Sequence, residues 1–83
     1  MEVRIRLGSG IAQFAPAPVL RLDLPDGATV DELYERLAAG HPELAPVLRS
    51  ALPVVCGEHV ERGQALADGD EVALLAPVAG GRA

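Results

Sequence analysis

Two alternating segments followed by a capped amphipathic one constrain this chain most. From Glu2 to Leu7, Val3, Ile5 and Leu7 fall on one side and Arg4 and Arg6 on the other. That is the two-residue period of a strand with one buried face. Leu20, Leu22 and Leu24 alternate in the same way with Arg21 and Asp23. Between the segments lie Gly8, Gly10, Pro16 and Pro18, which punctuate loops, so the pair reads as an N-terminal hairpin. Pro25-Asp26-Gly27 then turns the chain. Thr29-Val30-Asp31-Glu32 fits a capping box, in which the threonine hydroxyl and the Glu32 carboxylate each satisfy a free N–H. Asp31 and Glu32 also suit the positive end of a helix dipole. Val30, Leu33, Leu37 and Ala38 recur at helical spacing. Gly40 is placed to cap this helix and Pro42 to stop its continuation. Residues 42–50 hold a short second helical turn, interrupted by Pro46.

The second half returns to strands. Val54-Val55-Cys56 is a short apolar run ended by a turn at Gly57, and His59 and Val60 begin a short edge strand. Asp68-Gly69-Asp70 is a strong turn signal, after which Glu71 to Ala76 forms the last strand. Its alternation sends Val72, Leu74 and Ala76 to the core and Ala73 and Leu75 to the other face. With the order β-β-α-β-(β)-β, the helix crosses one face of the sheet, and the first and last strands lie parallel at its centre. The expectation is an α+β fold on the β-grasp (ubiquitin-like) plan. It has a mixed four- to five-stranded sheet on one main helix, with a single domain over residues 1–76. Residues 77–83 leave the last strand as a flexible tail.

Composition narrows the function. With 83 residues and only Phe14 and Tyr34 aromatic, the chain is one domain with an aliphatic core. No apolar run approaches the ~18 residues of a membrane span, and no signal-type segment opens the chain, so it reads as cytoplasmic. Cys56 is the single cysteine, which leaves no internal disulfide and no cysteine-based metal cage. The net charge is −5 and all seven basic residues are arginine. An acidic surface with few aromatics argues against nucleic acid and anionic membranes and favours a partner with a basic docking face. The absence of lysine reflects either coding bias or protection of an activated C-terminus from amine attack. His41 and His59 lack partners at ligand spacing, so no metal is assigned. Gly8-Ser9-Gly10 lacks the third glycine and long helix of a dinucleotide loop. Cys56 reads as a small, inert apolar residue at a strand end rather than a sulfur-handling thiol.

The chain closes on Pro77-Val78-Ala79-Gly80-Gly81-Arg82-Ala83. A Gly-Gly pair has no Cβ and can extend into a narrow channel. Asp68-Gly69-Asp70-Glu71-Val72-Ala73 followed by Pro77-Val78-Ala79-Gly80-Gly81 resembles the C-terminal signature of the MoaD/ThiS sulfur-carrier family. Pro25-Asp26-Gly27-Ala28-Thr29-Val30 and the Gly57-Glu58-His59-Val60 turn extend the likeness, which is nearer the molybdopterin synthase small subunit branch.

The resemblance implies a carrier rather than an enzyme, with no bound cofactor. Gly81, preceded by Gly80, would be adenylated by an ATP-using, ubiquitin-activating-type enzyme. A sulfur donor would convert it to a thiocarboxylate, which a synthase subunit would accept. Leu75, Ala73, Pro77 and Val78 would dock partners. Molybdopterin synthesis is the leading pathway. Sulfur delivery to cysteine, thiamine or a thio-containing natural product stays open, as do a ubiquitin-like protein modifier and a non-reactive interaction module. Arg82 and Ala83 depart from the family pattern, adding about 7 Å of extended reach. The resemblance implies cleavage after Gly81 by a metalloprotease of the JAMM type; trimming by general peptidases and an inactive paralogue stay open.

Overall fold

The structure, a computed structural model, describes residues 1–8, 11 and 18–76. Five strands form one sheet: β1 (Glu2–Leu7), β2 (Val19–Asp23), β3 (Leu52–Val55), β4 (Glu58–His59) and β5 (Glu71–Leu75). They lie in the order β2-β1-β5-β3-β4. Only the β1–β5 pair is parallel, Arg4 opposite Glu71 through to Leu7 opposite Leu74; β1–β2, β3–β5 and β3–β4 are antiparallel. Helix α1 (Val30–Gly40) covers one face, followed by a 3₁₀ turn (Pro42–Leu44) and the one-turn helix α2 (Ala45–Leu48). The first and last strands are parallel at the centre, as the element order predicts.

Helix α1 begins where the capping signal lies. The Glu32 N–H donates to Thr29 Oγ1 at 3.4 Å, and the Thr29 N–H to Glu32 Oε1 at 3.2 Å. Gly40 is the last helical residue, and the cap falls one position later at His41, whose N–H donates to the Leu37 carbonyl. The buried face of α1 is Val30, Leu33, Tyr34 and Leu37. It packs with Val3, Ile5, Leu7, Val72 and Leu74 into one aliphatic core, where Leu20, Leu22 and Ala38 are only half-buried. Full burial of each Leu or Val contributes roughly 1.5–3 kcal/mol.

Four expectations need correction. Strand β5 stops at Leu75, and Ala76, assigned to the core by alternation, is exposed. Alternation predicts a side only while the strand is paired, and the β3 and β1 registers end at Leu75 and Leu74. Strand β3 is shifted toward its N-terminus, admitting Pro53 and releasing Cys56. Strand β4 likewise begins one residue early, at Glu58. Cys56, read as an inert apolar strand end, is exposed and left-handed at φ 54°, followed by Gly57 at φ 79°. Val55 opposes Glu58 across this two-residue loop. The right-handed twist of the strands requires two positive φ values there.

Candidate functional site

The sheet face away from α1 carries the exposed residues of β5. On β5, Val72 and Leu74 point into the core, whereas Ala73 is half-buried and Leu75 is 39% exposed on the open face. Cross-strand register places Leu52 (41% exposed) opposite Leu75 and Val54 opposite Ala73. On the other side, Gly8 donates its N–H to the Leu74 carbonyl at 2.9 Å. A Cβ on Gly8 would lie 3.1 Å from that oxygen and 3.3 Å from Leu75 Cδ2. The missing side chain thus leaves room for Leu75 beside β1.

The structure therefore brings together two residues singled out in the sequence, Leu75 and Ala73, and adds three that were not: Leu52, Val54 and Gly8. Leu52 shares its parity with Val54, a signal visible only once the β3–β5 register is known. Pro77, Val78, Gly80, Gly81 and the proposed cleavage site before Arg82 lie outside the described residues.

Beyond the apolar end, the face becomes charged. Arg6 sits between Val19 and Ala73, and Arg4 between Arg21 and Glu71. Arg6 Nε donates to Glu71 Oε2 at 2.8 Å. This hydrogen bond holds the Glu71 carboxyl below its usual range, with a smaller contribution from Arg4, and raises Arg6. Cys56 lies at the opposite end of β3 from Leu52, beside an open hollow of about 660 Å³ that also borders Glu58, His59 and Glu61. Among the described residues, no cluster of three or more His, Cys, Asp or Glu side chains could hold a metal ion.

A polar knot on the opposite layer stabilises the scaffold. Tyr34 is buried and donates its hydroxyl to the Ala51 carbonyl at 2.9 Å. The Arg62 guanidinium stacks 4.0 Å from the ring centroid, donates to the Leu48 carbonyl at 3.2 Å and lies 3.6 Å from Asp31. Burial pushes the Tyr34 hydroxyl up to about 12 despite Arg62. The knot ties α1 to the end of α2 and to the start of β3.

Comparison with known proteins gives this arrangement its place. The ThiS family pattern matches residues 12–81. The chain belongs to the ThiS family. It is 30% identical over 83 residues to the molybdopterin synthase sulfur carrier subunit of Chlamydomonas reinhardtii, covering 98% of this chain and 100% of that one. It is 32% identical over 90 residues to small archaeal modifier protein 1 of Haloferax volcanii, covering 92% and 97%. The crystal structure of that modifier superposes with a TM-score of 0.85 at 30% identity, covering 96% of this chain and 99% of that one. The ThiS-family chain thus has a ubiquitin-like β-grasp fold and is a homologue of a sulfur carrier subunit. Among the described residues, no helix is long and apolar enough to cross a membrane.

Proposed function

We propose that the protein is a sulfur carrier whose reacting group is the Gly81 carboxylate, most directly in molybdopterin synthesis. The observation that carries this reading is the ThiS family match, which extends along the tail to Gly81. The full-length likeness to a molybdopterin synthase sulfur carrier subunit supports the pathway. A carboxylate is a poor electrophile. Attack of one carboxylate oxygen on the α-phosphorus of ATP, at a partner enzyme, releases pyrophosphate and leaves an acyl adenylate. Sulfide then attacks the acyl carbon, AMP leaves, and a thiocarboxylate remains with sulfur in place of one oxygen. The partner supplies positioning and charge stabilisation. The carrier supplies a reachable terminus, a recognisable body and no catalytic group. Leu75 and Ala73, beside Leu52, form the docking surface for a sulfur-accepting synthase subunit, with Pro77 and Val78, the next residues in sequence but one, as the further docking residues.

Arg82 follows Gly81 in the chain, so a free Gly81 carboxylate exists only after hydrolysis of the Gly81–Arg82 bond. A JAMM-type metalloprotease has the chemistry for that step. The test is mass spectrometry of two forms incubated with an adenylating enzyme, ATP and sulfide. The form ending at Gly81 gains about 16 Da as sulfur replaces oxygen, and the form retaining Arg82-Ala83 does not. No gain in the trimmed form overturns the carrier reading. A second reading, a protein modifier joined through Gly81 to target lysines, is favoured by the similarity to the archaeal modifier. High-mass lysine conjugates in cells would establish it.

A further inference from the structure

Strand β2 closes one side of the sheet, with β1 as its single neighbour. In their ladder the Leu24 N–H donates to the Met1 carbonyl at 2.8 Å, and the Met1 amine donates to the Leu24 carbonyl at 2.7 Å. Residues of an antiparallel strand bond alternately to one side and the other. Leu20, Leu22 and Leu24 therefore face β1, and Val19, Arg21 and Asp23 turn their backbone N–H and C=O groups outward. Among the described residues, no backbone group bonds to them there. The side chains of this edge are equally unmatched. On the open face, Arg21 stands opposite Arg4 and Asp23 opposite Glu2, all four exposed. Like charges directly opposite destabilise a sheet. Arg4 has Glu71 on its other side, but Arg21 and Asp23 have no second strand. Neither forms an ion pair among the described residues. On the α1 face of the same edge, Leu20 and Leu22 are only half-buried.

We propose that the β2 edge binds a second copy of this chain, antiparallel, about a two-fold axis at Leu22. Charge complementarity selects that register. Centred on Arg21, the pairing would set one guanidinium against its own copy; centred on Leu20, it would carry Asp23 past the end of the strand. Centred on Leu22, Arg21 meets Asp23 of the second copy and Asp23 meets its Arg21, each pair exchanging two backbone hydrogen bonds. Both like-charge rows then continue into opposite charge across the junction. On the other face Leu22 meets its own copy and Leu20 meets the copy's Leu24. Charged side chains on an edge ordinarily keep other strands away. Here the two signs stand two residues apart, which makes the edge self-complementary, as a two-fold contact requires. The pairing does not depend on the carrier reading. Strand β5 lies two strands in from this edge, so Leu75 stays open in the pair.

The test is sedimentation velocity of the full chain from about 10 μM to about 1 mM, for wild type, Arg21→Asp, Asp23→Arg and the exchange Arg21→Asp with Asp23→Arg. Wild type passes from monomer to dimer as concentration rises. Each single variant sets like charges opposite at two symmetric places and weakens the dimer about tenfold. The exchange swaps the signs on both copies and restores dimerisation to within about threefold of wild type. Thermal unfolding of dilute protein moves the other way. Arg21→Asp and Asp23→Arg each place opposite charge across from Arg4 or Glu2, so Tm is unchanged or raised, and loss of the dimer is separated from loss of the fold. A monomer at every concentration, single variants that dimerise like wild type, or an exchange that fails to recover the dimer overturns the proposal.

Discussion

Single residues here act through conformation as much as contact. Cys56 occupies the first of two left-handed positions in the β3–β4 loop, where a non-glycine residue costs roughly 1–2 kcal/mol. Cys56→Gly is expected to stabilise the fold by up to about 1 kcal/mol in urea unfolding, after the entropy gained by the unfolded chain is offset. Cys56→Asn should act in the same direction. The sequence shows a cysteine before a glycine, which is weak evidence for such a turn; the positive φ is set by closing two strands over two residues. Tyr34 offers a second measurement, since it is the single tyrosine and its titration is read directly from tyrosinate absorbance. Burial raises its pKa to about 12 from 10.0, so between those values the unfolded chain binds fewer protons than the folded one. Stability is therefore intact below pH 10 and falls as the pH rises through 12. Tyr34→Phe is expected to lose this alkaline step and to be less stable at neutral pH, because the Ala51 carbonyl loses its donor.

At the scale of elements, α1 was legible because two independent signals agree. The capping box marks its start, and the spacing of Val30, Leu33, Leu37 and Ala38 marks its face; the cap and the first three match the structure, while Ala38 is half-buried and Tyr34 is buried beside them. Thr29→Ala is expected to cost about 1 kcal/mol in chemical denaturation, and Leu33→Ala, at a fully buried position, about 2–5 kcal/mol. Strands β1 and β5 were legible for the same reason, a period of two beside turn residues. Strand β3 was shifted because Pro53 argues against a strand in sequence. In the structure Pro53 pairs with Leu74 while its carbonyl accepts from the Val60 N–H at 3.2 Å. The short β4 has no apolar alternation of its own, and its bounds follow from the loop that joins it to β3. Gly8→Val is the corresponding probe of strand packing. A branched Cβ at 3.1 Å from the Leu74 carbonyl is expected to displace Leu75 and lower stability by about 1–3 kcal/mol.

For the whole molecule, the arrangement matters more than the content. The buried residues Val3, Ile5 and Leu7 of β1, Val30, Leu33 and Leu37 of α1 and Val72 and Leu74 of β5, the helix start and the parallel contact between first and last strands were legible in sequence alone. Each depends on local periodicity and on the few ways a helix can cover a β-β-α-β-β-β chain. The resemblance of the C-terminal blocks to sulfur carriers was legible for a similar reason: they are contiguous in sequence. Register was not legible, because it is set by packing between segments tens of residues apart. Only the tertiary structure placed Leu52 beside Leu75, cleared space for it at Gly8 and set Arg4 against Arg21. Composition reads an acidic chain, and its net charge is a sum over all faces. Folding arranged those charges, setting Arg4 between Arg21 and Glu71 and next to the Glu2–Asp23 pair on one sheet face, because strand pairing, not composition, decides which side chains share a surface.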